Sequence, residues 1–168
     1  QYLAGLAKAA GAPPERVVVV PHAADKPVDA ARPPSACAPV VLFVGLLSEQ
    51  KGATVLLDAF AKMTAPQAEL VFVGDGPERT NLQRLAARLP RVRFLGQLSA
   101  EGAARAMSTA RVVAHPSLVP EGFGLVGIEA MQLGRPVVSF GLGGCAEWLI
   151  NGETGLVADP VTASSLAA

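Results

Sequence analysis

The sequence has little excess charge and little cysteine, and both shortages restrict its function. Fourteen basic and fourteen acidic side chains give the 168 residues a formal net charge of zero. A chain without a basic excess has no general electrostatic attraction for nucleic acid or anionic lipid, so nucleic acid is not an expected partner. The two cysteines, Cys37 and Cys145, lack C-x-x-C spacing and nearby histidines. They predict reduced, partly buried thiols, with a disulfide or metal pair as the alternative.

Long apolar runs are also absent, although the composition is rich in apolar residues. No segment approaches the roughly 20 residues that a membrane-spanning helix needs, and the opening YLAGLAKAAGA does not resemble a signal peptide. With 51% hydrophobic and 17% charged residues, the chain is expected to form one domain, or one domain plus a fragment. Because it begins with Gln1 rather than Met, we expect a piece of a longer cytoplasmic protein.

The first 39 residues differ in pattern from the rest. The sequence predicts a short helix over 3–11, a strand over 16–21 and an Ala- and Pro-rich linker over 22–39. From residue 40 onward, apolar strands alternate with amphipathic helices. The strands are predicted at 40–45, 68–76, 91–96, 111–117 and 135–141, with a short sixth strand within 151–160, and the helices at 51–63, 78–89, 100–110, 123–133 and 143–150.

This alternation predicts the fold class. Buried parallel strands joined by helical crossovers form an α/β, Rossmann-like, doubly wound sheet with helices on both faces. Ligands in such sheets bind beyond the carboxyl ends of the strands. Glycines cluster at or just beyond those predicted ends, at positions 45, 74, 76, 96, 122, 124, 141, 143 and 144. The sequence therefore predicts a ligand site along that edge of the sheet.

The stretch PEGFGLVGIEAM contains the pattern G-x-G-x-x-G at 122–127, which is typical of dinucleotide-binding loops. Two requirements of a nicotinamide cofactor are not met. The pattern follows the fourth strand, and the next strand ends in Phe140 and Gly141 without an acid to hold a ribose. A helix beginning near Gly124 would still present unpaired N–H groups and a positive dipole end, which suit a diphosphate.

A glutamate flanks this loop on each side. Glu129 lies in the predicted helix, where a carboxylate can accept two hydrogen bonds from the vicinal hydroxyls of a ribose. Glu121 lies just before the helix, within reach of a polar sugar. The alternative for either residue is a solvated surface charge. The pair around one glycine-rich helix start favours a nucleotide-sugar site over two unrelated surface charges.

These residues resemble the donor site of retaining glycosyltransferases with the GT-B fold, the glycosyl transferases group 1, or family-4-like, enzymes. The family hallmark E-x7-E is met by Glu121 and Glu129. The other similar segments, in order, are VVVVPHAAD at 17–25, VLFVG with KG at 41–52, FVGDGPE at 72–78, VRFLGQLS at 92–99, HPS at 115–117 and G-G-x-x-E at 143–147. Their order and spacing are specific to the family, whereas E-x7-E alone is not.

The resemblance implies a protein of two Rossmann-like domains. This chain would hold the tail of the N-terminal acceptor domain and the linker at 1–31, and a C-terminally truncated donor-binding domain at 32–168. The missing N-terminal domain would bind the acceptor, a sugar, a lipid or a small molecule, and the fragment alone would be inactive. Peripheral attachment to a membrane through that domain stays open. A nucleotide-diphospho-hexose is implied as substrate, with no cofactor and, because D-x-D is absent, no metal.

The resemblance also implies roles for particular residues in a transfer that retains the anomeric configuration. Lys51 would neutralise the leaving diphosphate and Glu121 would contact the donor sugar, so these two are the implied catalytic residues. Glu129 would hold the ribose. The remaining implied donor-binding residues are Leu98 beside the base, the glycines Gly45, Gly74 and Gly122, and four residues whose amides would bind the diphosphate, Phe123, Gly124, Leu125 and Val126.

One position departs from the family pattern. Leu46 stands where the family has an arginine that would act with Lys51 on the diphosphate. Loss of one such donor costs about 3 kcal/mol of transition-state stabilisation. Two alternatives to an active transferase are therefore kept: a nucleotide-sugar-binding pseudoenzyme, and a GT-B sugar-nucleotide epimerase, for whose catalytic acids no case is found. His115 and Trp148 are expected to be packing or supporting residues, and Glu147 either to orient the loop or to touch the donor.

Overall fold

The computed structural model describes residues 1–20 and 37–168. Helix α1 (Tyr2–Ala9) and a 3₁₀ turn (Pro14–Arg16) come first. The elements that follow are β1 (Val40–Val44), α2 (Ala53–Lys62), β2 (Glu69–Val73), α3 (Arg79–Ala86), β3 (Val92–Gly96), α4 (Ala100–Thr109), β4 (Val112–His115), α5 (Leu125–Gln132), β5 (Val137–Ser139), a second 3₁₀ turn (Gly144–Glu147), β6 (Gly155–Val157) and α6 (Ala163–Ala167). Each strand predicted from residue 40 onward is present.

The six strands form one parallel sheet in the order β3-β2-β1-β4-β5-β6. The central strands β1 and β2 are buried along most of their length, as expected of continuous apolar runs covered on both faces. The strand order reverses between β1 and β4, which are direct neighbours with Val41 opposite Val112. This arrangement confirms the predicted Rossmann-like, doubly wound fold, and it places a crevice beyond the carboxyl ends of β1 and β4.

Helices cover both faces of the sheet. Because side chains alternate along a strand, Phe43 of β1 packs with Leu57 of α2 on one face, and Leu42 packs with α4 and α5 on the other. Four apolar side chains of α2 and its C-cap join the first cluster: Leu56, Leu57, Phe60 and Met63. The second cluster includes Met107 of α4 and Trp148 after the second 3₁₀ turn. These two layers hold the carboxyl edge of the sheet in a fixed position.

The strand predicted over 16–21 is wrong for the residues that the structure describes. Residues 14–16 form a 3₁₀ turn, and residues 17–20 have no strand assignment. Val18 and Val20 are each 80% exposed. A β-strand exists only where a neighbour accepts its hydrogen bonds, and no sheet partner lies beside this segment among the described residues. Residue 21, the predicted boundary at 31–32 and most of the predicted linker lie outside those residues.

The helix predicted over 143–150 is only partly present. The structure has a four-residue 3₁₀ turn, Gly144–Glu147, at this place. Gly143, with φ of 68°, lies just before the turn, and Trp148 ends it in a non-helical conformation. Two consecutive glycines disfavour a longer helix because of their conformational entropy. The short turn nevertheless has a structural role at the site described next.

Candidate functional site

A small cavity lies at the point where the strand order reverses. It has a volume of about 60 Å³ and is lined by the ends of β1 and β4 and by the start of α5. Gly45, Lys51 and Val126 line it together with His115 and Ser117. Three residues from distant parts of the sequence that were predicted to bind the donor thus meet at one cavity. Among the described residues that line it, Lys51 has the positive charge.

A larger open cavity of about 440 Å³ lies beyond the carboxyl ends of β1, β2 and β3. It brings together Gly45, Gly74 and Leu98, three of the residues that the resemblance implies for donor binding. Leu46 is also part of its wall and is 55% exposed. The side chain at the departure from the family pattern therefore faces a cavity and is not packed into the core.

The glycine-rich loop ends at Gly124, which is the N-cap of α5. Gly124 has φ of 77°, a left-handed conformation that side chains other than glycine rarely adopt. Helix α5 then begins at Leu125, and its first backbone N–H groups have no partners within the helix. Val126 lies at the 60 Å³ cavity. The positive end of the α5 dipole is thus directed toward the point where the sheet order reverses.

The last glycine of the pattern, Gly127, makes room for a tryptophan. A Cβ atom at Gly127 would lie 2.1 Å from Cη2 of Trp148. The indole is buried, and its Nε1–H donates to the carbonyl oxygen of Phe123 at 2.5 Å. Trp148 thus holds the backbone of the glycine loop in place through this hydrogen bond. The sequence predicted only packing for Trp148, because nothing local indicates that a tryptophan 21 residues later fills the space at Gly127.

The loop after β5 holds Glu121 in place. The backbone N–H of Gly144 donates to the carbonyl oxygen of Glu121 at 2.8 Å, and Glu121 pairs with Gly143 in a short parallel bridge. Cys145, next in the turn, donates a weak hydrogen bond to the carbonyl oxygen of Phe123. The G-G pair at 143–144 therefore has a structural reason, which is to bring two loops into contact beside the site.

Lys51 and Glu121 form an ion pair with an Nζ–Oε1 distance of 2.5 Å. The side chain of Glu121 is 14% exposed and that of Lys51 is 37% exposed. Burial raises the pKa of Glu121, but hydrogen bonds from Lys51 and Ser117 more than offset this, so the net pKa is lowered. Glu121 is therefore a carboxylate at neutral pH, and its position beside Lys51 is electrostatically favoured.

His115 ends β4 directly beneath this pair. Its side chain is 10% exposed, with Nε2 at 3.9 Å from Oε1 of Glu121. Burial lowers the pKa of His115; Glu121 opposes this shift and Lys51 adds to it. The ring is therefore neutral at physiological pH, with one nitrogen carrying a proton and the other able to accept one.

The lowered pKa of His115 predicts a loss of stability in mild acid. Below the unfolded value of 6.5, the unfolded chain binds a proton that folded His115 resists. The part of the free energy of unfolding that depends on neutral His115 is fully present above pH 6.5, and it is lost as the pH falls toward the pKa of the folded state. Urea unfolding at pH 7.5 and 5.5 measures it, and His115→Gln should have a flatter dependence in this window. If the stability of the unmodified protein and of His115→Gln changed equally between these two pH values, the assignment of this loss to His115 would be wrong. Glu121, whose pKa is also lowered, adds a loss that begins below 4.5.

Glu129 is separate from the Lys51–Glu121 pair. It lies on α5, one turn beyond Leu125, and both residues are exposed. An exposed carboxylate near the helix start can accept hydrogen bonds from a ligand that also contacts the first turn. The two glutamates of E-x7-E thus differ in environment, because Glu121 is largely buried beside Lys51 and Glu129 is exposed on α5.

Glu147 contacts α1 in this structure. Its carboxylate accepts a hydrogen bond from the backbone N–H of Tyr2. Leu3 lies beside the glycine loop, with Cδ1 at 3.5 Å from the position of a Cβ on Gly122. Gly122 and Phe123 also line a cavity of about 580 Å³ together with α1 and residues 17–20. Glu147 therefore acts here as a contact to the N-terminal helix.

Neither a membrane-spanning helix nor a metal-binding cluster is found among the described residues. None of the helices in residues 1–20 and 37–168 is long and apolar enough to cross a membrane. In the same ranges, no group of three or more His, Cys, Asp or Glu side chains is arranged to hold a metal ion. Cys37 and Cys145 are buried and form no disulfide there, in agreement with the predicted reduced thiols.

Comparison with known proteins identifies relatives by sequence. The family model described as Glycosyl transferases group 1 matches residues 38–168. The phosphatidyl-myo-inositol mannosyltransferase of Mycobacterium tuberculosis is 42% identical over 121 residues, which cover 68% of this chain and 31% of that protein. The alpha-D-kanosaminyltransferase of Streptomyces kanamyceticus is 31% identical over 134 residues, covering 77% and 34% respectively. The chain thus spans about a third of the length of these relatives.

Solved structures show the same fold. HepE of Anabaena, in complex with UDP-glucose, is 36% identical and superposes with a TM-score of 0.71 over 77% of this chain and 37% of that one. Sucrose-phosphate synthase from Thermosynechococcus elongatus is 37% identical, with a TM-score of 0.70 over 84% of this chain and 38% of that one. From the family match, the curated relatives and the shared fold, we conclude that this chain belongs to the glycosyl transferases group 1 family of GT-B glycosyltransferases.

Proposed function

We propose that the chain is the donor-binding part of a glycosyltransferase that transfers a hexose from a nucleotide-diphospho-sugar with retention of configuration. The observation that carries the proposal is the ion pair between Lys51 and Glu121 beside the glycine-rich start of α5. A cation, a carboxylate and helix N–H groups then lie together where sheets of this type bind ligands. The Anabaena structures, which hold UDP or UDP-glucose, support a donor of this class.

In the proposed complex, the diphosphate lies against the backbone amides of residues 123–126. Lys51 turns from Glu121 toward the leaving phosphate, and Glu121 then accepts a hydrogen bond from a donor-sugar hydroxyl. Glu129 holds the ribose from the exposed side of α5. The base occupies the 440 Å³ cavity beside Leu98. Each group of the donor thus has a partner of complementary charge or polarity.

The proposed reaction is a front-face displacement. The bond between the anomeric carbon and the phosphate oxygen breaks, and its electron pair stays on that oxygen. The acceptor oxygen bonds to the anomeric carbon on the same face, and its proton passes to the departing phosphate oxygen. Lys51 and the helix amides stabilise the negative charge that develops on the leaving group. The proposed reaction uses neither a resident metal nor a cofactor.

We propose that the acceptor binds to a second domain of the whole enzyme and not to the donor-binding domain. The chain spans about a third of its relatives, so a whole enzyme would have ample length for a second domain. We propose that this domain, N-terminal to the linker, supplies the site for a sugar, lipid or small-molecule acceptor in the cytoplasm. A thermal-shift panel of UDP, GDP, ADP and their sugars on the intact protein tests the donor class. No shift with any nucleotide would contradict the proposal.

Glu129→Ala is expected to weaken binding of nucleoside diphosphates. Loss of a charged acceptor for two ribose hydroxyls should reduce affinity by about 1–3 kcal/mol. Calorimetric titration of the intact protein measures this difference. Glu101→Ala is a matched control, because Glu101 is an exposed helical glutamate whose ion pair is with Arg105 on α4. If Glu129→Ala and the unmodified protein bound nucleoside diphosphates equally well, Glu129 would not be the residue that binds the ribose.

A nucleotide-sugar-binding pseudoenzyme is the second candidate, and Leu46 is the observation that favours it. The nearby Arg79 is held by Asp75 at 2.6 Å and lies beside Gly96, at the base side of the cavity. Its guanidinium is thus already paired with a carboxylate. An arginine restored at position 46 would face the cavity, since Leu46 is exposed there.

Leu46→Arg in the intact protein separates the two candidates. We expect the substitution to raise the transfer rate, by up to roughly 10²-fold, through one added donor on the leaving diphosphate. Steady-state kinetics with the preferred donor measures the gain, with Leu46→Met as a size-matched neutral control. A protein that binds nucleotide sugar but transfers none, with or without the arginine, would be the pseudoenzyme.

A further inference from the structure

A chain of buried polar groups lies beneath Glu121 and links it to the loop after β5. The backbone N–H of Gly141 donates to Oγ of Ser139 at 3.1 Å. Oγ of Ser139 lies 3.5 Å from Nδ1 of His115, and Nε2 of His115 lies 3.9 Å from Oε1 of Glu121. Ser139 and His115 are both buried. Buried polar groups usually have hydrogen-bond partners, and these contacts give each nitrogen of the imidazole a polar neighbour.

The contact at Nδ1 bears on the tautomer of His115. Ser139 Oγ accepts from Gly141, and its hydroxyl proton can be donated to Nδ1 of His115. Burial raises the pKa of the Cys145 thiol to about 11, so this group keeps its proton, which it donates to the carbonyl oxygen of Phe123. When Nδ1 accepts from Ser139, the ring proton is on Nε2. That N–H group is directed to the side where the carboxylate of Glu121 lies.

Lys51 and His115 share the same carboxylate oxygen, Oε1 of Glu121. Lys51 is the close partner at 2.5 Å, and His115 is the distant one at 3.9 Å. Under the proposed function, an arriving diphosphate attracts Lys51 away from Glu121. The carboxylate then loses its close partner while it must stay ionised and oriented toward a sugar hydroxyl. The buried imidazole is fixed on β4 and does not move with the lysine.

We propose that His115 is a positioning residue that holds Glu121 through its Nε2–H group when the donor engages Lys51. This inference rests on the proposed function and adds to it a residue outside E-x7-E. The charged and titratable groups near the imidazole are Glu121 from the loop, Lys51 before α2 and Cys145 of the second 3₁₀ turn. The alternative is that His115 only fills space beneath Gly124, whose Cβ position is 3.4 Å from its Cε1.

Two matched substitutions separate positioning from space filling. His115→Gln keeps an amide donor near the place of Nε2, whereas His115→Asn keeps only a polar group near Nδ1. The measured quantity is the ratio of affinities for the nucleotide sugar and the bare nucleoside diphosphate, which isolates contacts to the sugar. We expect His115→Asn to reduce this ratio roughly tenfold and His115→Gln to stay within about threefold of the unmodified protein. Equal losses in both variants, or parallel losses for both ligands, would overturn the proposal.

The tautomer of His115 is tested by a measurement that does not require nucleotide binding. Nitrogen-15 NMR of the histidine rings in the intact protein should show Nε2-protonated, neutral His115, assigned by the signal missing in His115→Gln. Ser139→Ala should mix the tautomers because it removes the donor to Nδ1. A ring protonated at Nδ1 in the unmodified protein would overturn the proposal. If no nucleotide binds, the proposed function fails, but the tautomer is still read; if nucleotide binds and the ratio is unchanged, only this inference fails.

Discussion

Lys51→Met is expected to reduce the transfer rate of the intact protein by roughly 10²–10³-fold, the usual cost of losing one donor to a developing anion. Of the described residues that line the two cavities at the carboxyl edge, Lys51 is the cation. The resemblance implies a second cation at position 46, where this chain has leucine. The amides of α5 remain, so residual activity is expected. The effect should be mainly on kcat, because charge on the leaving group increases in the transition state.

Lys62→Met is the matched control for Lys51. Lys62 ends α2, is exposed, and donates to Oγ of Ser164 at 3.3 Å, far from the carboxyl edge of the sheet. Both substitutions remove one positive charge from the same region of sequence, so general electrostatics are matched. A loss of similar size in both variants would mean that Lys51 acts through net charge. An unchanged kcat in Lys51→Met would exclude it from the leaving-group site.

Gly127→Ala is expected to lower the free energy of unfolding by about 1–3 kcal/mol, which is typical of an overpacked core. The added Cβ would lie 2.1 Å from Cη2 and 2.6 Å from Cζ2 of Trp148. The indole cannot move aside without breaking its hydrogen bond to the carbonyl oxygen of Phe123. The same strain should displace the glycine loop. Nucleotide affinity and stability are therefore expected to fall together, which urea unfolding and calorimetric titration measure.

Gly5→Ala is the control, and it is expected to raise the free energy of unfolding where Gly127→Ala lowers it. Gly5 also lies inside a helix, α1, but a Cβ atom there would meet nothing within 4 Å. Alanine in an open helical position should therefore stabilise by about 0.5–1 kcal/mol. Adding Trp148→Phe to Gly127→Ala should recover part of the lost stability, because the smaller ring leaves room. If Gly127→Ala were as stable as the unmodified protein, the support of the loop by Trp148 would be disproved.

The fold could be predicted because its signals are local. Each strand from β1 onward is a short apolar run that ends near a glycine or a turn, and each helix has one apolar face. Val17–Val20 gave a false strand for the same reason, since a run of valines has high β-propensity but needs a neighbouring strand. Local pattern thus determines the type of an element only where tertiary partners agree.

The site was predicted only in part, because its contacts connect distant parts of the sequence. Lys51 and Glu121 were assigned separate roles, and nothing in either segment indicates that they form an ion pair across 70 residues. Arg135 shows the same limit. It lies just before β5, is 1% exposed, and donates from Nη1 to the carbonyl oxygen of Ala110 at 3.2 Å. A buried guanidinium of this kind is determined by packing, which composition and periodicity do not contain.

The most direct test is a crystal structure of the intact protein with a nucleoside diphosphate and its sugar. We expect phosphate oxygens at about 3 Å from backbone nitrogens at the start of α5, with Lys51 on the leaving phosphate and the sugar beside Glu121. A nucleotide bound elsewhere, or one that leaves the first turn of α5 without contact to phosphate, would contradict the proposed donor site.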